Sequence, residues 1–104
     1  MDHSRQQQWQ AILDKTQQMR VMADEEKWPE LAETEAERQK MILSFFATQV
    51  TEEEAGEIAE DIREIMRSDN SLAEMAVKLK LEAVEKLTGI SNVKKAVKAY
   101  DNCP

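Results

Sequence analysis

Three stretches of the chain carry apolar residues spaced alternately by three and four, the repeat of a helix with one buried face. In the first, the stripe is Trp9, Ile12 or Leu13, Thr16, Met19 and Ala23. It predicts a helix over 4–24, ended by the charged run "ADEEKW". In the second, Trp28 and Leu31 share a face with Ile42 and Phe45, and Pro29 suits the first turn of a helix, where its missing N–H costs nothing. Glu30 and Glu33 suit the positive end of that helix dipole. The prediction is a helix over 29–49. The third begins after Thr51 and Glu54, which have the spacing of a capping box. Its stripe is Ile58, Ile62, Ile65, Asp69, Leu72, Ala76, Leu79 and Ala83, drifting to Val84, Leu87 and Ile90. The "RSDNS" at 67–71 offers a second capping box through Ser71 and Glu74, but the apolar phase runs through it unbroken. One continuous helix over 52–88 is expected, with Gly89 as its stop. Ser91 can cap a short fourth helix over 92–100.

The fold class expected is all-α, with residues 1–104 as a single helical domain. It is an antiparallel three-helix bundle with a long third helix and a short fourth helix covering its C-terminal half. At 1.5 Å per residue the first two helices are each about 30 Å long and the third about 55 Å. The second half of the third therefore overshoots its neighbours while still carrying Ala76, Leu79, Ala83, Val84 and Leu87. The short fourth helix offers Val93, Ala96, Val97 and Tyr100 as a cover. About ten residues of helix hold only by packing, so the covered surface is a natural groove for a partner helix, with Met66 and Met75 as an adaptable lining. Two plainer readings stand beside it. The fourth helix can simply complete the core, or a homodimer can bury the overshoot.

Between Leu31 and Ile42 the second stripe lands on two charged residues, Glu35 and Arg38. They are three apart and can pair on one helix face. Asp69 falls on the stripe of the third helix, within reach of Arg38 in an antiparallel arrangement. A polar pair on a helical seam is a poor source of stability and a good device for fixing register. A contact of Arg38 with Asp69, or of Glu35 with Arg38, is expected.

Composition narrows the function more than the fold. The chain has 21 acidic and 14 basic residues, a net charge of −7, with two glycines, two prolines and one cysteine. Residues 1–64 carry 16 acids and 7 bases and residues 65–104 carry 5 acids and 7 bases, so the acidic excess is confined to the first part. Nucleic acid is not an expected partner, since Lys94, Lys95 and Lys98 are too sparse for a phosphate-binding face. No apolar run is long enough to span a membrane, the N-terminus lacks a signal-peptide core, and the lone Cys103 suits a reducing compartment. A cytoplasmic protein without membrane insertion is expected. His3 has no set of metal-ligating neighbours, the acidic runs at 24–26 and 52–54 lack calcium-loop spacing, and Glu33, Glu35 and Glu37 lack the histidines of a di-metal bundle. No phosphate loop or nucleophile motif occurs. Neither a cofactor nor enzymatic activity is expected.

The order of features resembles one family. A Trp at the start of the second helix ("EKWPEL"), a Glu seven residues on, a long third helix with "IMRSDNSLAEMAVKLKLEAVEKLTGI" and a closing "KKAVKAY" are similar to the FliT flagellar export chaperones. The resemblance implies a small cytoplasmic chaperone that holds the filament-cap protein by its C-terminal end before type III export. It implies contact with the export ATPase apparatus and, in some bacteria, with the master transcriptional regulator of flagellar genes. It also implies a mobile fourth helix that occludes the binding surface. Carried over by position, the groove is Leu72, Met75, Ala76, Leu79 and Ala83, with Trp28 and Leu31 at the lip and Val93, Val97 and Tyr100 as the gate. A homodimeric adaptor, or a regulator that sequesters a transcription factor, is the alternative.

Overall fold

A computed structural model describes residues 1–89, which form α1 (His3–Asp24), α2 (Trp28–Ala47) and α3 (Glu52–Thr88), with no strand among them. The expected fourth helix over 92–100 and its gate residues Val93, Val97 and Tyr100 lie outside the described residues. α3 is continuous through 67–71. The chain divides into two compact units, Met1–Leu72 and Ala73–Pro104. The boundary falls inside α3.

The helix ends follow local chemistry. The Asp2 carboxylate accepts the Arg5 backbone N–H at 2.8 Å and caps α1. At the other end Glu26 adopts φ 59, the left-handed conformation that closes a helix, and the Lys27 N–H reaches back to the Met22 carbonyl at 2.8 Å. Thr51 and Glu54 form the reciprocal capping box of α3, with bonds of 3.1 and 3.3 Å. Gly89, at φ 70, ends α3 where a side chain would be strained.

The core of the first unit is built on Trp9 and Ile12 of α1, Phe45 of α2 and Ile58 of α3. The Trp9 and Phe45 rings lie 5.1 Å apart, tilted by 44°, and the Phe46 ring meets Phe45 edge-on at 5.1 Å. Toward the α1–α2 turn, Met19, Ala23 and Leu31 are buried. Within this unit α1 and α2 pack closely, but no Cα of α3 comes within 8 Å of a Cα in either. Long side chains cross that wider gap. Arg5 Nε donates to Glu54 at 2.9 Å and Arg5 Nη1 to the Phe45 carbonyl at 2.7 Å. The Trp9 indole donates to Asp61 at 2.9 Å, and Arg20 donates to the Ser71 hydroxyl at 2.9 Å. Arg38 reaches both carboxylate oxygens of Asp69, at 2.8 and 3.0 Å, and also donates to Thr16.

One of these bridges ties stability to pH. Hydrogen bonding from Arg5, and then from the Thr51 backbone, lowers the Glu54 pKa below its ordinary 4.5. Glu54 therefore stabilises the fold fully above that ordinary value, and the contribution is lost as pH falls through the lower folded-state value. In acid titrations followed by circular dichroism, Glu54→Gln is expected to lower stability at neutral pH and to flatten its decline below about pH 4.5. Equal acid sensitivity in variant and parent would exclude Glu54 from that role.

Candidate functional site

In the second unit α3 carries an exposed apolar stripe. Ala76, Val77, Ala83, Val84 and Leu87 recur at helical spacing, and all five are exposed, Leu87 to 87% and Val77 to 54%. Lys80 sits within the same stripe, so the apolar surface is interrupted by one cation. Scattered exposed aliphatics need no explanation, but an aligned series on one helix face is a surface shaped for another helix. Alanines at two of the five positions would let a partner backbone come close.

The sequence-predicted groove residues fall into distinct environments. Ala76 and Ala83 lie on the exposed stripe, whereas Met75 and Leu79 are half-buried. Leu72 is buried and closes the first unit. Trp28 and Leu31 also belong to the first unit, Trp28 half-buried at the start of α2 and Leu31 buried. Val77, Val84 and Leu87 are as prominent as the predicted residues. Val84 and Leu87 are visible in the sequence as the drift of the third stripe. Val77 is not, because it lies one position off the seam followed from Ile58.

Of the three register residues, Arg38 and Asp69 meet. The Arg38 side chain is 6% exposed and that of Asp69 39%. Glu35 is exposed and is not among Arg38's partners. The sequence reading missed a second pair of this kind, Arg5 and Glu54, whose side chains are 12% and 11% exposed. The same signal marks it, since the first stripe extended back four residues from Trp9 reaches Arg5. The third, extended back four from Ile58, reaches Glu54.

His3 is exposed at the first position of α1. Among the described residues no three His, Cys, Asp or Glu side chains converge where they could hold a metal ion. No described helix is long and apolar enough to cross a membrane.

The sequence model of one family, flagellar protein FliT, matches residues 6–102. No curated protein and no solved structure matches the chain.

Proposed function

The chain belongs to the FliT family of flagellar export chaperones, and on that premise we propose that it grips an apolar helical segment at the C-terminal end of the filament-cap protein through the second half of α3. The observation that carries this reading is the exposed stripe of Ala76, Val77, Ala83, Val84 and Leu87. An export substrate must be kept from premature assembly without being locked away. A shallow helix-on-helix contact, without a deep enclosed pocket, suits holding followed by release. Met75 and Leu79 flank the contact. Trp28 and Leu31 enter the reading through the family resemblance alone.

Val93, Val97 and Tyr100 act in this reading as a gate over the groove. A protein whose binding-competent form is only partly populated shows an affinity reduced by that fraction. Truncation before Ser91 is therefore expected to tighten binding of a filament-cap C-terminal peptide by about five- to tenfold in calorimetry. Val84→Asp in the truncated chain is expected to weaken it by at least about tenfold, as loss of one apolar contact and burial of a charge would. Equal affinity before and after truncation removes the gate. Failure of both forms to bind removes the filament-cap assignment. Sedimentation of the Val84→Asp variant separates a further case: if the parent is a dimer and the variant a monomer, the stripe is covered by a second copy of the chain.

The family resemblance extends the same reading to work on the cytoplasmic side of the export machinery, in contact with its ATPase, and to capture of the flagellar master regulator. Retention of the ATPase or the regulator from the source cell by the intact chain tests each of these directly.

A further inference from the structure

The wide spacing of α3 leaves a trough of about 530 Å³ between α1 and α3 in the first unit. Its walls are Leu13, Thr16 and Arg20 of α1 and Asp61, Ile65 and Ser71 of α3. Asp61 lies level with Trp9, whose indole it accepts, and Arg20 lies level with Ser71. Eleven residues of helix separate Trp9 from Arg20, a distance of about 16 Å. An extended chain of about five residues has that length.

The charges along the trough are not equally satisfied. Glu64 pairs with Arg67 at 3.0 Å, and Arg67 also pairs with Glu60, which Arg63 shares. These two acids and two bases form a neutral set. The Trp9 indole occupies one oxygen of Asp61. Arg20 differs from all of them. Among the described residues its one hydrogen-bond partner is the neutral Ser71 hydroxyl, and no carboxylate of those residues lies within ion-pair distance. A half-buried guanidinium has five N–H donors in a fixed fork and matches a carboxylate with two parallel bonds. A dianionic group would also fit the fork, but residues 1–64 carry a net charge of −9, which favours a single negative charge.

We propose that this trough binds an extended peptide of about five residues that sets a carboxylate side chain on Arg20 and apolar side chains on Leu13 and Ile65. The Ser71 hydroxyl holds the guanidinium in position. The site stands on the first unit alone, so it is independent of the contact proposed for the second half of α3.

Two-dimensional NMR titration of the full chain tests it, with acetyl-Glu-Ala-Leu-Ala-Ala-amide and acetyl-Ala-Ala-Leu-Ala-Glu-amide as probes for the two chain directions. Shifts are expected at the amides of Thr16, Gln17, Ser68 and Ser71 and at the Arg20 Nε–H. Replacing Glu by Gln in the better peptide is expected to weaken binding about tenfold, the size of a lost charge-assisted bond pair. Arg20→Gln should weaken the Glu peptide to the same level and leave the Gln peptide unchanged, and Arg20→Lys should fall between. The peptide-side comparison needs no change in the protein, so a variant that fails to fold does not decide the outcome. Equal binding of the Glu and Gln peptides, shifts confined to other surfaces, or no shift at millimolar peptide overturns the proposal. Acetate that displaces the peptide at equal concentration also overturns it, by reducing the site to a carboxylate hole without peptide recognition.

Discussion

Phe45→Ala is expected to destabilise the first unit by about 4 kcal/mol, within the range for emptying a buried aromatic site. Phe45 is 1% exposed and stands where all three helices meet, against Trp9 and Ile12 of α1 and Ile58 of α3. Its ring also receives the Arg5 guanidinium at 3.7 Å from the centroid, a contact that truncation abolishes. Truncation leaves a cavity bounded by Trp9, Ile12 and Ile58, and the cost grows with the part of it that these neighbours fail to fill. Urea denaturation of the variant measures the loss. Its neighbour Phe46, 43% exposed, supplies the internal comparison, with a cost of about 1 kcal/mol for Phe46→Ala. Similar losses at the two positions would mean that the aromatic cluster, and not the three-helix junction, determines the energy.

The second large effect is expected at Asp69. Asp69→Ala leaves the Arg38 guanidinium buried with only Thr16 as a side-chain acceptor, and a stranded buried charge costs several kcal/mol. Asp69 is itself partly exposed, so solvent screens some of the interaction, and a loss of about 2–3 kcal/mol is expected. Arg38→Met removes the charge and keeps much of the volume. It should change stability by less than about 1 kcal/mol, because desolvation already offsets most of the attraction and the Arg38 Nε–H meets no acceptor among the described residues. The two substitutions delete the same ion pair, so the difference between them is the diagnostic quantity. If Arg38→Met proved as costly as Asp69→Ala, the pair would be a net source of stability rather than a device that aligns α2 with α3.

Much of the fold was legible because local rules agreed with one another. The predicted 4–24 and 52–88 correspond to His3–Asp24 and Glu52–Thr88, and the capping box at Thr51 forms as its spacing requires. The predicted 29–49 is shifted, since α2 opens at Trp28 and stops at Ala47, where the Thr48 backbone turns extended. The unbroken apolar phase through 67–71 outweighed the second capping signal at Ser71, and the helix is continuous there. The Arg38–Asp69 pair could be found by asking what occupies a stripe where an apolar residue is missing. The same question, put to the residues before Trp9 and Ile58, would have found Arg5 and Glu54.

Other features depend on distances that no periodicity encodes. The distance of α3 from α1 is one of these, so the trough beside Arg20 has no signature in the chain. The division at Leu72 falls within a regular helical pattern and leaves no composition break. Ala76 and Ala83 enter the expected groove through the family resemblance and lie on the seam followed from Ile58. The structure puts them on an exposed face shared with Val77, and a one-dimensional stripe does not reveal how wide that face is.

The Arg5–Glu54 bridge has a direction as well as a strength. Arg5 donates to a carbonyl in the last turn of α2, the negative end of that helix, while Glu54 sits in the first turn of α3, the positive end of the next. Each charge thus faces a helix terminus of opposite sign. Exchanging the two residues would preserve the attraction between them but set a carboxylate against the Phe45 carbonyl and an arginine in the first turn of α3. The corner where α2 hands over to α3 is therefore polarised, and it accepts this pair in one orientation only.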